Sequence, residues 1–400
     1  MPKLNSFGLG IAVIVFVIYV MAASAQAAVI YVPDDYAKIQ WAVDNASAGD
    51  MIVVRDGIYT ENIVVNKPLT IKSENGSART IINAVNLNYF IFKVTSNYVN
   101  ISGFTIKNSN TYGVYILYSN NNVISNNKIL NNKGIYLRHS SDNIISNNKF
   151  INNSLFIRES YKNIVKNNTV NDKSLIYLED KVNKVITNAG QVILVNCENI
   201  IIKNLNISNT THGIILSNTN NSKIMMNNIS NNNIGIFLLY SDNNIILSNN
   251  ISNNNGDGGG GICFESSDNN RVIDNIISNN GYGIWLIHQS NNNTISNNII
   301  SNNVNSGIML YYSSKNNTIS KNNIVSNNQY GIEDRSGNNK IFLNNFINNK
   351  RDNIYFYNYS SPNLWNSTEP ITYTYKGKTF TNYLGNYWDD YIGMDNNSDG

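Results

Sequence analysis

Three pairs of ionisable residues recur along the sequence, each one just after a short apolar segment. The pairs are Arg138 with His139, Arg158 with Glu159, and Glu179 with Asp180. If these segments stack as neighbouring strands, the pairs lie roughly 5 to 10 Å apart. An arginine at that distance could bind the carboxylate of an acidic sugar, and a carboxylate could act as a general base. The alternative is a solvated ladder of surface ion pairs, which contributes little to stability.

The segments that carry these pairs belong to a repeat. Each copy has a Gly or Ser, four residues of short strand, a Ser/Asn turn, and then the pattern N-x-I-x-x-N-x-I. Copies begin at Gly113, Gly134, Ser154, Ser174, Gly213, Gly235, Gly261, Gly283, Gly307 and Gly331. Three short strands in a period of about 22 residues predict an all-β solenoid, with one turn of a parallel β-helix per copy. Asparagine, 83 of the 400 residues, suits the corners because it tolerates left-handed backbone and can form side-chain ladders.

Alternation within each strand predicts which side chains face out. The first and third residues after the starting Gly or Ser are aliphatic, so they face the core and the second residue faces outward. This second position forms an outer stripe rich in aromatic residues: Tyr115, Tyr136, Phe156, Phe237 and Trp285. We expect an exposed stripe that stacks on sugar rings and therefore binds carbohydrate. A long loop that covers the stripe is the alternative.

The N-terminus predicts export from the cytoplasm. Lys3 precedes an apolar run from Phe7 to Met21, and Ala23-Ser24-Ala25 or Ala25-Gln26-Ala27 offers a cleavage site, so residues 1–27 are predicted to be a signal peptide. An uncleaved membrane anchor is the alternative; the rest of the chain shows no membrane-spanning segment. A net charge of +3 without a basic block argues against a nucleic-acid partner.

Three further regions follow from composition. Residues 28–110 are predicted to form an N-terminal cap and the first turns, with a short capping helix that begins near Asp34 and ends near Gly49. Residues 111–349 form the β-helix repeats. Residues 350–400 lose the period and are rich in Tyr and Trp, which predicts a C-terminal cap.

The last residues match the start of a calcium-binding loop. Asp395, Asn397 and Asp399 occupy alternate positions before Gly400, as in the motif D-x-[DN]-x-[DN]-G. Ca²⁺ is thus an expected ligand, although no cofactor is otherwise required. The motif stops at Gly400 before a bidentate Glu, so we expect the protein to continue beyond this residue. An ordinary acidic turn is the alternative.

Several segments together resemble a known family. They are Val32 to Tyr36, Gly57 to Asn62, Lys67 to Ile71, the Asn-rich turns, and Gly385 to Tyr391. They are similar to NosD-type right-handed parallel β-helix proteins, which resemble the carbohydrate-binding and sugar-hydrolase β-helix superfamily and many archaeal surface proteins. The resemblance implies a right-handed, single-stranded parallel β-helix over the whole mature chain. One solenoid hosts many activities, so it does not decide function.

The resemblance also implies copper handling as a function, because NosD is associated with copper-site assembly. Soft ligands should then cluster, yet His139, His212 and His288 fall on separate turns and Met225-Met226 is the one Met pair. Cys197 and Cys263 are predicted to be about 14 Å apart along the axis, which predicts two free thiols.

These patterns predict a secreted or cell-surface β-helix whose partner is a polysaccharide or cell-envelope glycan. It would bind glycan or build the envelope without turnover. A polysaccharide lyase, epimerase or glycoside hydrolase acting at the charged pairs is the second hypothesis. A copper-site accessory protein is the third.

Overall fold

The computed structural model describes residues 27–256, 259–357 and 362–393. Its strands are short, and almost all of them pair in parallel with the strand one turn away along the chain. The predicted all-β solenoid is confirmed. It consists of two stacks of turns, which we call the N-terminal coil (residues 29–170) and the C-terminal coil (residues 173–388).

The N-terminal coil has three faces. The first contains Val29–Val32, Met51–Val54, Thr70–Ser73, Asn100–Ser102, Val123–Ser125, Ile144–Ser146 and Ile164–Lys166. The second contains Gly57–Thr60, Thr80–Asn83, Thr105–Lys107, Lys128–Leu130, Lys149–Ile151 and Thr169–Val170. The third contains Ile63–Val65, Phe92–Val94, Val114–Leu117, Gly134–Arg138 and Ser154–Arg158.

The C-terminal coil also has three faces, and its third face continues the sheet that forms the second face of the N-terminal coil. The first contains Val185–Ile186, Ile201–Lys203, Lys223–Met225, Ile245–Leu247, Arg271–Ile273, Thr294–Ser296, Thr318–Ser320 and Lys340–Phe342. The second contains Asn206–Ser208, Asn228–Ser230, Asn250–Ser252, Ile276–Ser278, Ile299–Ser301, Asn323–Val325, Asn345–Ile347 and Tyr387–Trp388. The third contains Lys173–Glu179, Gln191–Val195, His212–Ser217, Ile234–Leu239, Gly260–Glu265, Tyr282–Ile287, Ile308–Leu310, Tyr330–Asp334 and Asp352–Phe356.

The two coils are joined by a reversal of strand direction. Val170 pairs with Lys173 in antiparallel register, and the two residues between them, Asn171 and Asp172, have φ of 49° and 64°. Two consecutive left-handed residues make a tight two-residue hairpin. The predicted repeat region, residues 111–349, is therefore divided between the two coils at this point.

The alternation predicted for the strands holds in most turns. Inward residues such as Ile135, Leu137, Ile236 and Leu238 are fully buried. After the reversal the register shifts by one residue: Ile176, which was predicted to face outward, pairs with inward Val192 and packs on the core of the C-terminal coil. The hairpin changes the number of residues in the turn, so the side chains of this strand exchange faces.

Buried asparagines at the corners form ladders through both coils, as predicted. Asn298 is typical: its Oδ1 accepts hydrogen bonds from the backbone N and the Nδ2 of Asn275, at 2.9 and 3.0 Å. Its own Nδ2 donates to the Oδ1 of Asn322 at 2.9 Å and to two carbonyl oxygens. These asparagines thus satisfy backbone groups that the tight corners would otherwise leave unpaired.

The predicted capping helix is present at residues Ile39–Asn45, and Ile39, Ala42 and Val43 bury one face of it. Its start was placed wrongly at Asp34. The carboxylate of Glu61 instead accepts hydrogen bonds from the backbone N of Ile39 and of Gln40, both at 3.0 Å. A side chain from another turn thus caps the helix N-terminus.

The C-terminal region adds a two-stranded antiparallel hairpin, Ile371–Tyr375 with Lys378–Asn382. The strand Tyr387–Trp388 then rejoins the second face of the C-terminal coil. No helix within the described residues is long and apolar enough to cross a membrane. The predicted signal peptide, apart from residue 27, and the calcium-loop residues Asp395, Asn397 and Asp399 lie outside the described residues.

Candidate functional site

The outer stripe is buried where the two coils pack together. Its side chains do point out of their own coil, but Tyr115 and Phe156 are each only 7% exposed and Phe237 is 4% exposed. Tyr136 and Trp285 are half-buried. The prediction of an exposed stripe is therefore wrong for the three buried residues, because the third face of the C-terminal coil covers the third face of the N-terminal coil. Their role in binding carbohydrate stays a prediction.

Phe156 is the centre of this interface, which we call the seam. Its ring stacks on His212 with centroids 4.1 Å apart, and it meets Phe237 edge-on at 6.0 Å. On the other side it stacks on Tyr136 at 4.7 Å. Aromatic contacts of this kind stabilise an interface beyond the area that they bury. The stripe thus holds the two coils together.

Polar side chains complete the seam. Gln191 donates from Nε2 to the carbonyl oxygen of Leu155 at 2.7 Å and accepts from the backbone N of Leu155 at 3.2 Å. It therefore substitutes for the next strand beyond Ser154–Arg158. The hydroxyl of Thr211 donates to the carbonyl of Lys133 at 2.7 Å. These bonds satisfy backbone groups where the ladder of the N-terminal coil ends.

One edge of the seam carries a charged network. Arg158 forms a bidentate ion pair with Glu265 of the other coil. Its Nη2 lies 2.6 Å from Oε1 and its Nη1 lies 3.1 Å from Oε2. His288 Nδ1 lies 3.2 Å from the same carboxylate. His139 Nδ1 lies 2.9 Å from Glu159 Oε2, and Arg158 Nε lies 3.8 Å from the other oxygen of Glu159. Two carboxylate–histidine pairs are thus joined through one guanidinium.

The direction of the pKa shift of Arg158 agrees with a close ion pair between Arg158 and Glu265. Burial alone would lower the pKa of Arg158, yet the hydrogen bonds and charge of Glu265 raise it above its ordinary value. Burial, followed by the charges of Glu159 and Glu265, raises the pKa of Tyr240 beside them. The arginine remains charged because a carboxylate is held against it.

We predict that Arg158→Met destabilises the protein by about 2 kcal/mol, because it leaves the buried carboxylate of Glu265 without its cation. The double variant Arg158→Met/Glu265→Gln should recover part of this loss. The free energies of unfolding in urea of the wild type, of Arg158→Met, of Glu265→Gln and of the double variant form a double-mutant cycle. A coupling free energy of zero would show that the ion pair does not hold the seam.

The third predicted pair forms no ion pair with this network among the described residues. Glu179 accepts hydrogen bonds from the Tyr177 hydroxyl and from the backbone N of Lys162, both at 2.6 Å, and Asp180 is exposed. The expected spacing of the three pairs stays a prediction. Glu265 and His288 were missed. Both occupy the same repeat positions as the predicted pairs, so the sequence contained the signal.

Exposed rings flank the network. Tyr118, 68% exposed, stacks on His139 with ring centroids 4.7 Å apart and planes at 4°. Arg138 lies at the same corner, where the side chain of Tyr115 raises its pKa. Among the residues that the structure describes, no carboxylate pairs with Arg138. We call Tyr118, Arg138 and His139 the corner site. On the other coil, His288 stacks on Tyr312 beside a cleft of about 460 Å³.

Two solved structures show limited similarity to this chain. The A-module of a mannuronan C-5 epimerase from Azotobacter vinelandii is 15% identical, with a TM-score of 0.35, over 82% of this chain and 92% of that one. A periplasmic alginate epimerase, as a double mutant, is 14% identical with a TM-score of 0.41, over 78% of this chain and 83% of that one. Similarity this low carries no argument about fold or activity, and the class of protein rests on the family matches. Residues 176–299 match the family described as a right handed beta helix region. The chain is a right-handed parallel β-helix protein, as predicted.

The chain belongs to the NosD family. Residues 43–190 and 256–393 match the family described as periplasmic copper-binding protein (NosD). A cell surface glycoprotein of Methanothermus fervidus is 41% identical over 113 residues, which are 28% of this chain and 18% of that protein. The match therefore spans less than a fifth of the length of this relative.

The described residues do not fit the copper that the family description implies. In residues 27–256, 259–357 and 362–393, no three His, Cys, Asp or Glu side chains lie close enough together to hold a metal ion. Cys197 and Cys263 are buried free thiols, as predicted, and burial raises the pKa of both. A protonated thiol is a poor metal ligand.

Proposed function

We propose that this protein is a cell-envelope β-helix that binds acidic polysaccharide at the corner site without chemical turnover. The observation that carries the proposal is the stacked pair Tyr118–His139 beside Arg138, an arginine that no described carboxylate neutralises. A sugar ring can pack on the exposed face of Tyr118. The guanidinium of Arg138 can then bind a uronate carboxylate through two parallel hydrogen bonds.

The surroundings of Arg138 favour this use. The Tyr115 side chain raises the pKa of Arg138, and Tyr115 itself is 7% exposed and held between Phe90 and Tyr136. Arg138 therefore stays charged beside a packed aromatic side chain and can bind an anionic group.

The paired state of the carboxylates argues against either carboxylate acting as a general base itself. Glu159 is engaged by His139, and Glu265 by both Arg158 and His288. A general base needs a free carboxylate or imidazole within reach of a substrate proton. An envelope location is supported by the predicted signal peptide and by the name of the Methanothermus fervidus relative, a cell surface glycoprotein.

Affinity electrophoresis through gels that contain alginate, pectate or starch tests the proposal. We expect the two acidic polysaccharides to retard the protein and starch to leave its mobility unchanged. Arg138→Gln and Tyr118→Ala should each weaken binding about tenfold, as for loss of one charge-assisted or aromatic contact. Lys128→Gln and Tyr383→Ala remove an exposed cation and an exposed ring elsewhere and serve as matched controls. Equal losses in the controls would contradict the proposal.

A lyase or epimerase is the second candidate, and the His139–Glu159 pair favours it. A carboxylate 2.9 Å from Nδ1 can orient a histidine as a general base. Incubation with alginate and pectate should then yield unsaturated products that absorb in the ultraviolet, or epimerised residues visible by NMR. His139→Gln should abolish either product. We expect neither product from the wild-type protein.

A further inference from the structure

The C-terminal end of the C-terminal coil has a cavity of about 520 Å³, separate from the seam. Its lining residues are Trp365, Gly385, Asn386, Tyr387, Trp388, Asp389 and Tyr391. The volume falls within the roughly 300 to 1,000 Å³ of small-molecule sites. Aromatic side chains with a few polar groups line such sites, as they do in this cavity.

The wall of the cavity is an extension of the solenoid. Trp388 stacks on Phe346 of the preceding turn with centroids 4.6 Å apart and planes at 6°, which closes the core. Asn386 continues the asparagine ladder: its Oδ1 accepts from the backbone N and the Nδ2 of Asn344, both at 3.0 Å. Its Nδ2 donates to the carbonyls of Ile341 and Trp365 at 2.8 and 3.3 Å. Stacking and hydrogen bonds to the preceding turn therefore hold Trp388 and Asn386 in place in the cavity wall.

Its rings are arranged as two walls. The ring centroids of Trp365 and Trp388 lie 6.2 Å apart, and the two ring planes make an angle of 56°. The two rings therefore form adjacent walls of the cavity. Tyr387 is 58% exposed and Tyr391 is 71% exposed. Capping the core explains Trp388, whose inner face is covered, but it does not explain the exposed tyrosines at the opening. Large exposed aromatic groups around a cavity indicate a binding role.

The charge at the opening is negative. Asp389 accepts hydrogen bonds from the backbone N of Asn348 at 2.6 Å and from Asn353 Nδ2 at 3.0 Å, and Asp390 accepts from the same Nδ2. These hydrogen bonds lower the pKa of Asp389, so it stays ionised at neutral pH. A carboxylate accepts hydrogen bonds from hydroxyl groups but repels an acidic ligand.

We propose that this cavity binds a neutral pyranose unit of a glycan, with a sugar face on the tryptophan and tyrosine rings and hydroxyl groups on Asp389. This goes beyond the corner site, because the ligand class and the location both differ. Acidic sugars suit the arginine of the corner site, and neutral sugars suit the carboxylates here.

Titration of neutral hexasaccharides of glucose, mannose, galactose and N-acetylglucosamine into the full chain tests the proposal. Tryptophan fluorescence reports binding, since Trp365 and Trp388 line the cavity. At least one hexasaccharide should bind and protect two tryptophans from oxidation by N-bromosuccinimide. Tyr387→Ala and Tyr391→Ala should each weaken that binding about tenfold. Tyr383→Ala removes a tyrosine that is 57% exposed and lies outside the cavity, so it should have no effect.

Two outcomes would overturn the proposal: no neutral hexasaccharide binds, or Tyr383→Ala weakens binding as much as Tyr387→Ala. A cavity that receives another part of the chain gives the first outcome. Arg138→Gln should leave neutral-sugar binding unchanged while it weakens binding to alginate. Failure of the cavity proposal is therefore distinguishable from failure of the corner-site proposal.

Discussion

Asn322→Leu should lower the free energy of unfolding by about 3 to 5 kcal/mol, since it removes five hydrogen bonds and leaves buried groups unpaired. Asn322 Nδ2 donates to Ile295 O, Ser320 O and Asn344 Oδ1 at 2.9 to 3.0 Å. Its Oδ1 accepts from the backbone N and the Nδ2 of Asn298. Leucine fills a similar volume but can make none of these bonds.

The adjacent residue supplies a matched control. Asn323 is exposed on the second face of the C-terminal coil, and its Oδ1 accepts from Asn345 Nδ2, so Asn323→Leu should cost less than about 1 kcal/mol. Urea unfolding compares the two variants. Because each turn contacts only its neighbours, hydrogen exchange in Asn322→Leu should accelerate mainly between residues 294 and 346. Equal costs in the two variants would show that the ladders are dispensable.

Acid should weaken the seam through His212. Burial and then the charge of Lys133 lower the pKa of His212 from 6.5 to about 3. The unfolded chain therefore binds a proton near pH 6.5 that the folded chain does not bind until about pH 3. The stability that His212 contributes is complete above pH 6.5 and is lost at about 1.4 kcal/mol per pH unit below it. The loss reaches roughly 3 kcal/mol at pH 4.5.

His212→Leu isolates this effect, because leucine can still pack on Phe156 but cannot take up a proton. Its free energy of unfolding should change less than that of the wild type between pH 7.5 and 4.5. His288→Gln removes a histidine that lies 3.2 Å from Glu265 and measures the contribution of that carboxylate–histidine pair to the pH dependence. An identical pH slope in wild type and His212→Leu would contradict the burial of a neutral imidazole in the seam.

The repeat fixes the local features that sequence could predict. Inward residues such as Ile135 and Leu137 alternate with outward ones, and each corner places an asparagine where left-handed backbone is needed. These constraints act within one turn of about 22 residues, so periodicity reveals them. They do not depend on where the turn lies in the molecule.

The reversal between the coils could not be predicted in the same way. Asn171 and Asp172 form a two-residue hairpin, yet Asn152 and Asn153 also lie between two strands and do not reverse the chain. Whether such a pair of residues reverses the chain depends on the distant strand with which the following strand pairs. The error about the outer stripe follows from it, because Phe156 is covered by Phe237 of the other coil only after the chain reverses.

The sequence predicted only part of the candidate site, because the rest of the site depends on the same reversal of the chain. Arg158 and Glu159 were identified from charge and repeat position, and the corner residues Arg138 and His139 with them. Glu265 occupies the same repeat position as Arg158 but lies 107 residues further along the chain. Only the packing of the two coils brings these two side chains together.

The most direct test of the account is isothermal titration of hexamers of mannuronate, guluronate and galacturonate into the wild-type protein at pH 7, with NMR of the recovered sugar. We predict saturable binding of at least one hexamer, about tenfold weaker in Arg138→Gln, and a sugar that is recovered unchanged. Absence of binding by all three hexamers, or recovery of an unsaturated or epimerised sugar, would contradict a glycan-binding protein that works without turnover.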